Sequence, residues 1–366
     1  MDRLLFMKVT PARIRTNLGA MLLCISSVVL SCAHAQQSDV DSKQLAILRA
    51  KAEKGDAQAQ SQLADAYFVG MLGLAKNEVE AVRWLRKAAA QNLAIAQYNL
   101  GVCFAGGQGV TKDEVEAVKW LRKAADQNDA TAQFILGEKY RDGEGVAKDQ
   151  AEKAKWYRRA AEQNYADAQY NLGVCFARGL GVTKDEAEAV KWYRKAAEQN
   201  HAAAQSNLGV CYKFGQGVEK NPAEALKLYR KAAEQNQAAA QYNLAHLYMD
   251  GEGVDKDEVE AVKWFRKAAE QDDLNAQFKL AVCLAYGRGA PQDKVEAYAW
   301  SGLAAKAVES APKFRDQLSR VMTPEQIAAA YRRTKELRAE IEAKSKSTGS
   351  KYIWSESILV KPDLKR

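Results

Sequence analysis

Ser310 and Lys313 stand at the S-x-x-K spacing in which a lysine amine can take the proton of a serine nucleophile. The S-D-N and K-T-G partners of that chemistry are missing, and Pro312 is expected to interrupt the helix the motif needs. His201 and His246 each lack a second histidine at metal-binding spacing. The segment from Asp250 to Asp255 has the acidic residues and glycines of a calcium loop but not its ligand pattern. No Gly-x-x-x-x-Gly-Lys loop occurs. Paired glycines such as Gly107 and Gly109 join one helical pattern to another, whereas a phosphate-cradling loop joins a strand to a helix. These residues predict no catalytic group, no metal site and no cofactor.

What recurs is the frame that would have to position any site. An Ala-Gln pair beginning at Ala96 returns every 36 residues at Ala132, Ala168, Ala204, Ala240 and Ala276, with a further copy at Ala59, 37 residues before Ala96. Such a period marks an array of small units, none of which buries its apolar face alone.

Residues 92–127 show one unit. Ile95, Tyr98 or Asn99, Val102 and Cys103 follow helical spacing, so the first half reads as a helix of about three turns. Gly107-Gln108-Gly109-Val110 stops it, because glycine accepts the left-handed backbone of a reversal. Asp113 with Glu116 predicts an N-cap and capping box for a second helix, and the pairing recurs at Asn77/Glu80, Asp149/Glu152, Asp185/Glu188, Asn221/Glu224, Asp257/Glu260 and Asp293/Glu296. Ala117, Trp120, Leu121, Ala124 and Ala125 form the apolar stripe of that helix. Asn92, Asn128, Asn164, Asn200 and Asn236 sit where a helix end wants a residue tolerant of positive φ.

Two residue types in register could be mistaken for sites. Trp84, Trp120, Trp156, Trp192, Trp264 and Trp300 could form a stacking ladder for sugars or bases, but their place on the apolar stripe predicts core. Cys103, Cys175, Cys211 and Cys283 share one position, which Lys139 and Leu247 fill in other copies. Equivalent positions in neighbouring units lie too far apart to bridge, so free buried thiols are expected. Gly101, Gly137, Gly173 and Gly209 predict close helix packing.

The ends carry the charge. Of the net +8, residues 1–31 supply +3 and residues 313–366 supply +6, which leaves the array close to neutral. A neutral array does not track phosphates, so no nucleic acid partner is expected. Lys8, Arg13 and Arg15 precede an apolar run from Leu18 to Leu30, as in a signal peptide, and both processing routes open to it imply export. Cleavage after Ala33-His34-Ala35 would give a periplasmic or secreted protein starting at Gln36. Val29-Leu30-Ser31-Cys32 resembles a lipobox, so lipidation at Cys32 would give an outer-membrane lipoprotein and the one membrane contact.

The pattern A-x-A-Q-Y/F-x-L-G-x-x-Y/F-x-x-G-x-G-V, followed by K-D/N-x-x-E/K-A-x-x-W-x-R-K-A-A-E-Q-N/D, resembles the Sel-one-like repeat family, a relative of the tetratricopeptide repeat with a longer reversal, and the chain looks like an exported bacterial member of it. The match runs from Ala57 to Ala307. Met71-Leu72, Lys153 and Leu228 are its departures. The resemblance implies an all-α, right-handed α-solenoid of seven 36-residue helix-hairpin repeats with helical end caps. It also implies that the first helices line a concave face that binds protein or peptide. Carried over residue by residue, the groove positions are Tyr98, Asn99, Val102, Glu138, Tyr170, Asn171, Asn207, Tyr242, Asn243, His246 and Lys279. A carboxamide both donates to and accepts from an extended peptide, which suits the Asn row. Cysteine-rich relatives are linked to β-lactam binding, but their second-helix cysteines are absent here.

The expected organisation is a signal peptide (1–35), an N-terminal capping helix (36–56), seven repeats (57–307), C-terminal capping helices (308–344), and a linker and tail (345–366). Lys313 to Val321 should form one cap helix. Thr323 and Gln326 should box the next, with Ile327, Tyr331, Leu337 and Ile341 facing inward. The function these readings support is a non-catalytic scaffold or adaptor of the bacterial cell envelope that holds an extended peptide or partner protein. A β-lactam or cell-wall-peptide hydrolase and a purely structural spacer are the alternatives.

Overall fold

The computed structural model describes residues 41–347, and the expected signal peptide, Cys32 and the tail beyond Ser347 lie outside them. The described residues form two compact units, 41–127 and 128–347. The first holds α1 (41–53), α2 (Ala57–Val69), α3 (Glu78–Ala90), α4 (Ala94–Gly106) and α5 (Glu114–Asp126). The second holds α6 (Ala130–Asp142), α7 (Gln150–Glu162), α8 (Ala166–Arg178), α9 (Glu186–Glu198), α10 (Ala202–Phe214), α11 (Pro222–Glu234), α12 (Ala238–Asp250), α13 (Glu258–Ala269), α14 (Leu274–Tyr286), α15 (Lys294–Ala304), α16 (Ser310–Ser319) and α17 (Pro324–Ser347). Every described element is helical, and successive helices pair as hairpins within each unit, the expected all-α solenoid architecture.

Each hairpin is punctuated as its residues dictate. All seven second helices carry the expected N-cap, whose side-chain oxygen accepts the N–H three residues on, as from Asp185 to Glu188 at 2.9 Å. The reciprocal half of the capping box does not form. The Asp185 N–H donates instead to the Phe176 carbonyl at the end of the first helix, and Glu188 pairs with Lys191 at 2.8 Å. With its usual target occupied, the glutamate is free for a lysine three residues on or, at Glu152, Glu260 and Glu296, for the indole N–H of the tryptophan four residues on. Asn92, Asn128, Asn164, Asn200 and Asn236 have φ between 63° and 69°, as anticipated, and Asp272 takes the same role at 65°.

Two glycines show what sets the spacing of helices. Gly173 on α8 faces the Tyr193 ring on α9, and a Cβ there would lie 2.7 Å from Tyr193 Cδ1. Gly181, at φ +74°, lies against the N-terminus of α7, where a Cβ would run into the Gln150 carbonyl. Glycine in the first helix thus closes a hairpin, and the second glycine of the reversal seats that hairpin on the one before.

The glutamine of each Ala-Gln pair is the least expected part of the core, at 0–4% exposure. Gln169 Nε2 donates to the Ala161 carbonyl at 3.2 Å and to Asn164 Oδ1 at 3.1 Å, while its Oε1 accepts from Gln199 Nε2 at 2.7 Å. Gln97, Gln205 and Gln241 repeat this arrangement with their own neighbours. Each therefore caps the second helix before its own hairpin and holds the end of the second helix within it.

The remaining sequence expectations fall out as follows. Cys103, Cys175, Cys211 and Cys283 are buried free thiols. Trp84, Trp156, Trp192 and Trp300 are buried and Trp120 and Trp264 partly so, with Lys87 over the Trp84 ring and Lys123 over Trp120, both at 3.9 Å. Lys139, in a cysteine position, buries its stem and pairs with Glu144 at 2.6 Å. At the C-terminal end, Thr323 and Gln326 form the full box expected of them. Three details differ. The cap helix expected over Lys313 to Val321 spans Ser310–Ser319, with Pro312 in its first turn, where a missing N–H costs nothing. Tyr331 points outward at 56% exposure with its ring edge on Tyr298, while Ala330 takes the inward place. The helix α17 also runs three residues past the expected end of the cap at 344, to Ser347, with Lys344 and Lys346 complementing its C-terminal dipole.

The glutamine contacts imply an asymmetry that unfolding can measure. Gln277 keeps its donors on the Ala269 carbonyl and Asp272, but its Oε1 has no partner, because Ala307 stands where the next glutamine would be. Gln205→Leu should cost about 1–3 kcal/mol in urea unfolding, and Gln277→Leu clearly less. Equal losses would sink the assignment of the acceptor contact as a stabilising link.

Candidate functional site

In the second unit, the first helices α6, α8, α10, α12 and α14 present a half-buried stripe at spacing i, i+3 and i+7. It reads Asn171, Val174 and Arg178 on α8, Asn207 and Val210 on α10, and Asn243 and His246 on α12, with the exposed Phe214 and Asp250 continuing it at i+7. Of the predicted positions, Glu138, Tyr170, Asn171, Asn207, Tyr242, Asn243, His246 and Lys279 all lie on these helices. Tyr98, Asn99 and Val102 lie on α4 of the first unit, also half-buried.

The aromatic row sits between helices. The Tyr170 ring stacks on His201 at 4.9 Å and lies 6.1 Å from Tyr193, and Tyr242 lies 5.8 Å from Phe265 and 4.7 Å from His246. His201 adds a role that its sequence neighbours did not reveal. Its Nδ1 accepts the Ala204 N–H at 3.1 Å, which places the ring proton on Nε2, facing Asp167 at 3.1 Å.

The asparagine row divides into two kinds. Asn171 reaches toward Glu138 at 3.5 Å, and Glu138 also receives the Tyr157 hydroxyl and the Arg141 guanidinium. Asn207 lies beside the hydroxyls of Tyr170 and Tyr193. Asn99 and Asn243 make no hydrogen bond among the described residues, so their carboxamides keep both donor and acceptor.

The pattern-breaking ionisable residues answer one another. Lys213 pairs with Glu252 at 3.4 Å, and His246 Nδ1 lies 3.8 Å from Asp250 Oδ2. His246 Nε2 is buried without a partner. Burial, with the positive charges of Lys279 and Lys213, pushes the imidazole down to about 4, so the ring is neutral at pH 7.

Sequence reading passed over one feature. A partly enclosed cavity of about 70 Å³ lies between α8, α9 and α10, lined by Ala177, Arg178, Tyr193, Asn207, Val210 and Gln216 among others. The Tyr193 hydroxyl on its wall is buried and has no hydrogen-bond partner. The available signal was the position after each tryptophan, or after its replacement Leu228. There Tyr157, Tyr193 and Tyr229 put three polar atoms into an otherwise apolar stripe. Ser310 and Lys313, by contrast, are both exposed on the first turn of α16.

The His246 environment fixes a pH response. Between pH 6.5 and 4 the unfolded chain takes up a proton that the folded ring refuses, so stability is complete above 6.5 and falls as pH drops through that window. His246→Phe keeps the ring contacts to Tyr242 and Phe265 and removes the orphaned nitrogen. Its Tm should be no lower at pH 7 and should fall less than that of the parent between pH 7 and 4. Parallel pH curves for the two proteins would overturn this account.

Comparison with known proteins agrees with the geometry. The Sel1 repeat matches residues 57–93, 94–129, 130–165, 166–201, 202–237, 238–273 and 274–307. No curated protein matches the chain in sequence. Among solved structures, a Sel1 repeat protein from Oxalobacter formigenes is 32% identical over 67% of this chain and 96% of its own, with a TM-score of 0.60. A protective antigen of uropathogenic Escherichia coli strains, described as displaying an SLR fold, is 30% identical over 84% of this chain and 74% of its own, with a TM-score of 0.58. A 36-residue hairpin, repeated and matched over more than half the chain, places this protein in the Sel1 repeat family.

Proposed function

We propose that this protein is a non-catalytic scaffold of the bacterial cell envelope that holds an extended peptide, or an extended segment of a partner protein, on the first-helix face of each of its units. Sel1 repeat proteins generally mediate protein–protein interaction. The observation that carries the finer reading is the asparagine row. Buried carboxamides elsewhere in the array are bonded, yet those of Asn99 and Asn243 stand half-exposed with every donor and acceptor unused. An extended backbone presents alternating N–H and C=O groups, which a carboxamide can meet with both of its functions. Placement in the envelope is supported by the basic, apolar and small-residue order of residues 1–35, and a lipid at Cys32 would add a membrane tether.

The chain should retain a partner from envelope extract, and a peptide from that partner should bind the purified protein. Asn99→Ala with Asn243→Ala removes no hydrogen bond within the array, so helicity and melting should be unchanged while peptide affinity falls about tenfold, the loss of one or two neutral hydrogen bonds. Unchanged affinity in that variant would move the binding surface elsewhere. Absence of any retained partner would favour a structural spacer.

A further inference from the structure

One pair of positions on the first-helix face joins neighbouring hairpins, and it recurs with different chemistry. Glu138 on α6 and Asn171 on α8 stand 33 residues apart, and the Asn171 amide reaches toward the carboxylate at 3.5 Å. The same carboxylate receives the Tyr157 hydroxyl and the Arg141 guanidinium. Three hairpins later, the two positions hold His246 on α12 and Lys279 on α14. Both are bases, and neither supplies the carboxylate around which the earlier set is built. The donors of that set have gone as well: Phe265 stands at the register of Tyr157, with its ring 5.2 Å from that of His246, and Met249 at the register of Arg141.

The groups at the later pair are unanswered. His246 Nε2 is buried without a partner, although 20% of its side chain remains exposed. Lys279 is half-buried and makes no hydrogen bond or ion pair among the described residues. Asn243, one turn before His246 and at the register of Lys279, keeps its carboxamide unused. After burial itself, Lys279 and then Lys213 act against a charge on the imidazole, and Asp250 acts for it. Lys213 is already answered by Glu252 at 3.4 Å. Asp250 is 55% exposed and lies 3.8 Å from Nδ1, the other ring nitrogen, so it leaves Nε2 and Lys279 as they are. The Tyr193 and Tyr229 hydroxyls are unpartnered too, but a carboxylate already stands by each, Glu186 in the Tyr193 cavity and Glu252 by Tyr229. Buried polar atoms without partners are rare in native proteins, and a carboxylate held by an ammonium makes the stronger kind of hydrogen bond. Lys279, on a flexible stem tethered by no such bond, can swing with an arriving acid and admit it to Nε2.

We propose that a carboxylate carried by the docked peptide seats against His246 and Lys279, taking the role that Glu138 has at the corresponding pair, with Asn243 holding the peptide backbone beside it. The assignment rests on the reading of the first-helix face as a peptide-binding surface. An acidic side chain and a chain terminus offer the same carboxylate chemistry at these donors.

The test uses the full chain at pH 7 with its histidine rings labelled. The chain has three histidines, so the His246 signal is identified by its loss in His246→Phe. Sodium acetate should shift that signal saturably, and sodium chloride at equal ionic strength should not. Lys279→Gln removes no hydrogen bond or ion pair among the described residues, so it should weaken the response about tenfold with melting unchanged. Three N-acetylated alanine pentapeptides then separate the sources: one with a central glutamate and amidated end, one with a free C-terminal carboxylate, and one with a central glutamine and amidated end. Tighter binding of either acid peptide than of the glutamine peptide, lost in Lys279→Gln, supports the proposal and names the source. An acid preference that survives in both Lys279→Gln and His246→Phe puts the carboxylate elsewhere and overturns it. No saturable shift with acetate and no acid preference overturns the site and leaves the groove to its asparagine test. Saturation by acetate with no preference among the peptides overturns the peptide as the source of the carboxylate.

Discussion

Stacking helix hairpins creates a problem at every second-helix end: the last carbonyls point at the next hairpin, where water cannot reach them. A buried glutamine side chain solves it. Gln169 offers its amide to the Ala161 carbonyl of the preceding hairpin and to Asn164, the left-handed residue that turns the chain, then accepts from Gln199 at the end of its own hairpin. Because each glutamine both gives and receives, the hairpins within a unit are joined by a polar relay as well as by apolar packing. A leucine of similar volume would fill the space and leave the carbonyl unpaired, and leaving buried polar atoms unpaired costs more than a neutral hydrogen bond contributes. That is the physical reason the Ala-Gln pair cannot drift along the helix: one residue of slippage would point the amide at solvent. The small alanine beside it, fully buried at Ala168 and Ala204, lets the glutamine helix approach closely enough to make the contact.

The same constraint governs how tightly a hairpin closes. Glycine at positions 137, 173 and 209 lets a tyrosine ring lie flat on the first helix, and where the later hairpins substitute Ala245 the ring opposite is Phe265. Tyrosine brings area at little entropic cost but carries a hydroxyl into the hairpin interior. Tyr157 finds a carboxylate there, while the Tyr193 and Tyr229 oxygens end without a hydrogen bond. The array thus carries polar atoms in its core that a neighbouring side chain answers, as at Tyr157, and others that none does, as at Tyr229 and His246.

Local grammar was legible in the sequence. The seven N-caps, the asparagines at positive φ and the Thr323–Gln326 box all depend on residues within four positions of one another, and each appears as read. What escaped depends on contacts between helices, from nine to about thirty residues apart. The capping box of the second helices is half-formed because the Phe176 carbonyl, belonging to the other helix of the hairpin, already takes the Asp185 N–H. The glutamine relay was visible as invariance but not as mechanism, since Gln169 and Gln199 are 30 residues apart. Tyr331 follows helical spacing with Ile327 and Leu337, yet α17 crosses α15 so that Ala330 meets the core instead. The candidate groove positions were likewise reachable only through resemblance, and the sequence alone did not distinguish Asn243, with its carboxamide unused, from Asn171, which is turned toward Glu138.

A repeat protein separates structure from recognition in a way a globular enzyme does not. Positions at which all units agree are spent on holding one hairpin to the next, and the glutamines, the N-caps and the left-handed turns leave nothing over for a ligand. Any selectivity must come from positions where one unit departs from the rest. Those departures are not scattered. Glu138, Arg141, Arg178, Lys213, His246, Glu252 and Lys279 all lie on the first helices of the second unit or in the turn after them, and most of them neutralise each other in place. A charge that is already answered adds little to binding, because a ligand would have to break one pair to make another.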